Sequence, residues 1–359
     1  MIMAAHLLTG LKRQCCLFNL FYWAHTDTGS IDFLVNLKVN YGRIREDRGR
    51  CCMNQIFSEI PGSRTWSNVE EIHKGWSKDK KYYVQTNNSR ELLLKISDIT
   101  QLERKQREFE TVKKLDHLED ILMSRPLDYG ICNNEQSVYS LFTWINGEEA
   151  EQVIPTLNAA DQHRFGFRAG EILSKIHGIP AEQDQAQAPW AEYYNAKINR
   201  YIRNYKSCGV LLRGADQAIS YIEQNRHLLD NRPRTFQHGD YHVGNLVVTQ
   251  SGELGVIDFN RLDYGDPWEE FNRITWCTAR SPLFASGRIH GYFNNDVPDL
   301  FFKLMALYIA SNQISSIHWA IPFGKKEVDD MVQRAEEVLE AYDYFQTYIP
   351  RWYLPSYRD

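Results

Sequence analysis

The chain of 359 residues has no apolar run long enough to cross a bilayer, which takes about 18 or more consecutive apolar residues as a helix. The nearest, Cys15 to Ala24, is ten residues long and interrupted by Asn19. Lys12 and Arg13 before it give only a faint likeness to a secretory leader. A sustained basic stretch is also missing, so nothing in the sequence offers the electrostatic footprint of a nucleic-acid binder. Seven cysteines are present, but the vicinal pairs Cys15-Cys16 and Cys51-Cys52 stand too far apart for a zinc site. In a reducing compartment they are free thiols. What is present is ordinary for one large or two modest globular domains: 43% hydrophobic and 24% charged residues. The net charge of −5 is unevenly placed, +2 over residues 1–146 and −7 over 147–359. An acidic C-terminal half attracts cations, although a solvated surface accounts for part of it.

The chemistry concentrates in one segment. Residues 238–245 read His-Gly-Asp-Tyr-His-Val-Gly-Asn, and Asp258 follows thirteen positions after Asn245, at the end of Gly255-Val256-Ile257. Apolar runs at 246–249 and 254–257 flank Gln250-Ser251-Gly252-Glu253, which predicts a β-hairpin. Asn245 enters that hairpin and Asp258 leaves it, so their oxygens converge on one cation. Asp240 lies five residues before Asn245, where Gly239 and Gly244 permit a tight loop. One carboxylate to take a hydroxyl proton and two hard oxygen ligands for Mg²⁺ are what phosphoryl transfer requires.

The spacing His-x-Asp-x4-Asn, followed by Ile257-Asp258-Phe259 and then Gly265-Asp266-Pro267, resembles the aminoglycoside phosphotransferase family, grouped with the choline kinases in the kinase-like superfamily. The likeness spans about 53–350. It implies an α+β, bilobal protein-kinase-like fold, with a small N-terminal antiparallel sheet plus helix and a larger, mostly helical C-terminal lobe holding the catalytic hairpin. Residues 53–146 form the expected nucleotide-binding lobe and 147–359 the catalytic and acceptor-binding lobe. Residues 1–52 read as a poorly ordered or dispensable extension, with Met53 as an alternative start.

Within that frame Asp240 is the expected catalytic residue, and Asn245 and Asp258 the expected metal ligands. Lys95, inside the apolar strand Leu92–Ile96, needs a counter-charge. Glu108 shares a helix face with Val112 and Leu115 at i, i+4 and i+7 and is the expected mate. The turn Gly75-Trp76-Ser77-Lys78-Asp79 has one glycine, unlike a kinase Gly-x-Gly-x-x-Gly loop; Ser77 bonds a phosphate or merely closes a hairpin. The resemblance places the adenine edge against the Thr143 carbonyl and the Ile145 N–H, near the lobe boundary at Asn146-Gly147. Asp263, Glu269 and Glu270 are candidates for a cationic acceptor, Asp266 reads as structural, and His177 as a packed or capping residue. Asn260, where the family often carries an acid, puts a second metal contact in doubt. His238 holds the loop by hydrogen bonds; His242 supports it or packs. Helices are expected at 101–118, 159–177, 191–207, 214–229 and 325–347, the last with acids that bind an acceptor amine or simply face water.

These readings converge on a cytoplasmic O-phosphotransferase using Mg²⁺ with ATP or GTP. Its expected acceptor is a small aminoglycoside-like molecule, with choline, ethanolamine, a sugar or an amino alcohol as alternatives. No nucleic acid, membrane or obligatory protein partner is expected. Only six residues separate Asp258 from Gly265, too few for a protein-kinase activation loop. A catalytically idle nucleotide-binding scaffold is the competing class.

Overall fold

Alternating side chains build the first layer. In the computed structural model, which describes residues 56–73, 78–181 and 188–355, five antiparallel strands pair in the order β1-β2-β3-β5-β4. They are β1 (Trp66–Ile72), β2 (Lys80–Thr86), β3 (Glu91–Asp98), β4 (Pro126–Cys132) and β5 (Ser137–Thr143). Tyr82, Val84, Leu92, Leu94, Ile96, Tyr139 and Leu141 join Phe57 and Ile60 in a small core of their own. Lys81, Leu93 and Lys95 alternate with these residues and project from the other side of the pleat. Helix α1 (Leu102–Lys113) follows β3. The expected extension at 1–52 and Ser77 lie outside the described residues.

The remaining chain is helical around a few short strands. Helices α2 (Ala159–His177), α3 (Trp190–Ser207) and α4 (Ala215–Asn225) match three expected segments. After them come β7 (Thr235–Gln237), the hairpin β8 (Leu246–Val248) and β9 (Leu254–Val256), and β10 (Asp263–Gly265). A two-residue strand β6 (Glu148–Glu149) pairs with β8, and β10 pairs with β7. Helices α5 (Pro282–Tyr292), α6 (Asp299–Ala320) and α7 (Lys325–Ala341) complete the body. The sequence reading passed over α5 and α6. α6 buries Phe301, Leu304, Met305, Leu307, Tyr308 and Ile309, along with Ser311 and Gln313, so no polar stripe marks one face. A helix covered on all sides has no amphipathic period to detect.

Close approach of α2 and α5 fixes the floor of the body. A Cβ at Gly166 or Gly170 would collide with the carbonyl oxygens of Phe284 or Arg288. One at Gly287 or Gly291 would collide with those of His163 or Phe167. Four glycines therefore let two backbones touch directly beneath the 238–245 loop. Among the described residues no helix is long and apolar enough to cross a membrane.

Candidate active site

The hairpin is where the sequence placed it. Leu246 pairs with Val256 and Val248 with Leu254, and the Ile257 N–H reaches the Asn245 carbonyl at 3.1 Å. That bond sets Asn245 and Asp258 side by side at the hairpin mouth. Asp258 has φ of 66°, a left-handed conformation uncommon outside glycine and found at sites where a side chain must be aimed. Asn245 donates through Nδ2 to the Asp240 carbonyl at 2.8 Å. Its nitrogen is thereby committed, and Oδ1 is the atom left for a cation.

Asp240 sits in a loop tied from behind by a buried carboxylate. Glu270, only 2% exposed, accepts the His238 N–H (2.9 Å), the Tyr241 N–H (3.2 Å) and His177 Nε2–H (3.0 Å). His177 is steadied at Nδ1 by the Tyr292 hydroxyl at 3.0 Å. Burial drives the Glu270 pKa up, but the His177 hydrogen bond and the nearby Arg288 outweigh it and hold the carboxyl below its usual value. His238, fully buried, donates through Nε2 to the Ile257 carbonyl at 2.9 Å and accepts the Asp240 N–H at Nδ1. It thus links the Asp240 loop to Ile257, the residue between β9 and Asp258. Gly239, at φ of 80°, lies against the Arg261 carbonyl, where any Cβ would clash.

A family model described as the phosphotransferase enzyme family matches residues 68–301. The chain belongs to the phosphotransferase enzyme family. Comparison of the sequence with curated proteins gives no significant match. Among solved structures, the chain is similar to aminoglycoside phosphotransferase APH(4)-Ia, at 12% identity, TM-score 0.59, covering 81% of this chain and 98% of that one. ADP-bound aminoglycoside phosphotransferase APH(2'')-Ib gives 15%, 0.56, 78% and 97%. A choline/ethanolamine kinase family protein from Mesorhizobium loti gives 14%, 0.57, 83% and 96%. At such identities the likeness speaks to fold, and the fold is the bilobal, kinase-like α+β arrangement expected from the motif.

In this phosphotransferase the sheet meets the hairpin through two lysines. Lys95 Nζ lies 3.1 Å from Asp258 Oδ1, and Lys81, its cross-strand partner on β2, lies 3.9 Å from Oδ2. Burial raises the Asp258 pKa, but the two ammonium groups win and lower it, so the carboxylate is ionised at neutral pH. Lys81 was missed because the strand was read for its apolar residues; the hairpin register opposite Lys95 was the available signal. The expected Lys95–Glu108 pair is corrected. Glu108 is bonded at 3.1 Å by Lys105, one turn earlier on α1, and Lys105 also reaches Asp79 at 2.7 Å. Position i−3 of Glu108 lies on the same helix face, so the buried carboxylate finds its cation within its own element.

Thr143 and Ile145 lie where the sheet hands over to the helical body. The Thr143 carbonyl accepts the Ser124 hydroxyl at 2.9 Å, while the Ile145 N–H has no acceptor among the described residues. Two of the three acceptor candidates are otherwise engaged. Glu270 is corrected: it is sealed beneath the loop and anchors it. Glu269 forms an ion pair with Lys197 at 3.1 Å. Asp263 is exposed at the start of β10, opposite Gln237. Asp266 is fully buried and held by Arg232 through both oxygens, at 2.7 and 2.9 Å, and by the Tyr308 hydroxyl at 2.5 Å. The side chains nearest the Asp240 carboxylate were not anticipated as a group: Arg273 Nε at 3.3 Å, Arg261 Nε at 3.7 Å and His242 Nε2 at 3.7 Å. Burial first, with Arg273 adding to it, pushes the His242 pKa down to about 4, so the ring is neutral at physiological pH.

Proposed function

We propose that this phosphotransferase moves the γ-phosphoryl of ATP or GTP to a hydroxyl of a small molecule. The observation that carries the reading is the meeting of Asp240, Asn245, Asp258 and Lys95, drawn from the loop, the hairpin and the sheet, at one mouth. Asp240 orients the acceptor hydroxyl and takes its proton as the new P–O bond forms and the bond to the leaving nucleoside diphosphate breaks. Lys95, with Lys81 beside it, neutralises phosphate oxygens. The Thr143 carbonyl and the Ile145 N–H face the base edge, the latter supported by its having no acceptor among the described residues.

The donor set fits Mg²⁺: an ionised carboxylate at Asp258 and an amide oxygen at Asn245 are hard ligands. When bound, the ion neutralises charge on the phosphates. Aminoglycoside phosphotransferase APH(4)-Ia, solved as ternary complexes of hygromycin B with ADP or AMP-PNP, supports both a nucleotide donor and a hydroxyl-bearing acceptor. A cationic, aminoglycoside-like acceptor has less support from this chain, since Glu269 and Glu270 are otherwise engaged. An idle nucleotide-binding scaffold would not require Asp240 to be positioned so closely.

The test is nucleotide consumption with Mg²⁺ across hydroxylated acceptors, with phosphorylated product read by mass spectrometry. Acceptor-dependent product supports the reading. Mg²⁺-independent nucleotide binding, or binding with no transfer to any acceptor, refutes it.

A further inference from the structure

Arginines that hold this fold together have their donors engaged. Arg232 grips Asp266 through Nε and Nη2. Arg226 bonds Glu223, Asn195 and Asn199. Arg125 reaches the carbonyls of Leu115, Asp116, Leu118 and Ile121. Arg261 and Arg273 differ. Each has Asp240 as its one carboxylate within 4 Å among the described residues. Neither makes a hydrogen bond of acceptable geometry to it, and their side chains are 48% and 26% exposed.

Two guanidinium groups, always charged and carrying five donors each, therefore stand beside the carboxylate that must face the acceptor hydroxyl. Net charge over the C-terminal half misleads here, because the field at the reacting hydroxyl is set by groups a few ångströms away. An acceptor ammonium at this spot would meet two fixed cations. A carboxylate or phosphate monoester would meet a ready fork, the geometry for which arginine is suited. The wall continues in the same sense. His242 stacks on the exposed ring of Trp276 with centroids 5.9 Å apart, and the Arg334 guanidinium sits 4.4 Å over that ring. Arg334 has no carboxylate within 4 Å among the described residues.

We propose that Arg273 and Arg261 form an anion subsite, so that the acceptor carries a carboxylate or phosphate monoester next to the hydroxyl that is phosphorylated. This rests on the phosphotransferase reading above and names its substrate class. The bound anion draws both guanidinium groups off Asp240, which leaves the carboxylate free to receive the hydroxyl proton. Nucleotide phosphates are served separately, by Lys95 and Lys81 on the sheet side.

The experiment uses the full chain saturated with Mg²⁺ and AMP-PNP. Binding is measured by calorimetry for glycerate and acetate (carboxylates), glucose 6-phosphate and inorganic sulfate (phosphate-like), glycerol and glucose (neutral), and ethanolamine and kanamycin (cationic). The expected result is that an anionic hydroxyl compound binds at least tenfold more tightly than its neutral counterpart. Arg273→Gln is expected to abolish that preference, Arg261→Gln to reduce it, and Arg273→Lys to restore part of it, with AMP-PNP affinity unchanged in all three. Which anions saturate separates carboxylate from phosphate. Tighter binding of the cations, no saturation by any anion, or Arg273→Gln binding the anions as wild type does would each overturn the subsite. Failure of wild type to bind AMP-PNP with Mg²⁺ would instead overturn the phosphotransferase reading, so the two failures are distinguishable.

Discussion

Exchanging Glu270 for Gln changes a single side-chain atom and isolates what holds the Asp240 loop. The carboxylate accepts three N–H groups: those of His238 and His177 at Oε2 and that of Tyr241 at Oε1. A carboxamide has one oxygen, so whichever way it turns, an NH₂ faces at least one donor. A buried donor left without an acceptor costs about 1–3 kcal/mol, and turning charge-assisted bonds into neutral ones costs roughly 1 kcal/mol each. Arg288, fully buried among Tyr241, Phe271 and Cys277, also loses a compensating negative charge. Together these predict a loss of about 3–5 kcal/mol, near the upper end for single substitutions. For a chain of this size that is roughly 4–7 °C in Tm. The pH dependence has a definite sign. The folded Glu270 pKa lies below the ordinary value, so its contribution is complete above about pH 4.3 and fades as pH falls through the folded value. Thermal unfolding of wild type and Glu270→Gln should therefore differ most at pH 7, and the gap should narrow below about pH 4. A Tm change under about 2 °C at pH 7, with turnover retained, would refute the claim that this carboxylate positions the loop. Pairing the change with His177→Ala adds a second check: the two losses should fall short of additivity, because both remove the same bond.

Asp240→Ala should leave Mg²⁺-nucleotide affinity near normal while turnover falls by about 10²–10⁴, read as kcat and nucleotide Kd on the same preparation. Asp258→Ala should instead abolish the Mg²⁺ dependence of nucleotide binding, measured by titration with and without chelator. Lys95→Met is expected to weaken nucleotide binding by roughly 10- to 100-fold, the loss of one charged hydrogen bond. Lys81→Met should cost only a few-fold, because it stands 3.9 Å from Asp258 rather than 3.1 Å. Gly291→Ala pushes a methyl into the Phe167 backbone and should destabilise by about 3 kcal/mol; an unchanged chemical-denaturation midpoint would show that the helices can part at no cost.

The elements legible in the sequence were those whose signal is local. The 246–257 hairpin announces itself by two β-branched runs around a Gly turn, and α2 by a 3.6-residue period ending at His177-Gly178. The spacing of Asn245 and Asp258 sets them side by side, because a hairpin brings its ends together whatever surrounds it. Helix α6 was not legible, since burial on every side erases the polar stripe. Glu108 was placed on the right face of α1, yet its partner was sought across the sheet when the nearer candidate stood three residues back at Lys105. The buried role of Glu270 had no local signature either. Its three donors come from residues 177, 238 and 241, and one of them reaches it from 93 positions away.

The acceptor side shows why a charge count is a poor guide to a site. Residues 147–359 carry a net of −7, which favours a cationic ligand at long range. Screening by salt confines such a field to about 8–10 Å, and acids farther away contribute little at the reacting hydroxyl. Several acids of this half are already matched: Glu269 by Lys197, Glu270 by His177 and two backbone N–H groups, Asp266 by Arg232. Arg261 and Arg273, which the same count simply subtracts, lie within 4 Å of Asp240. Under the proposed anion subsite, local geometry sets a sign opposite to the one that composition suggests.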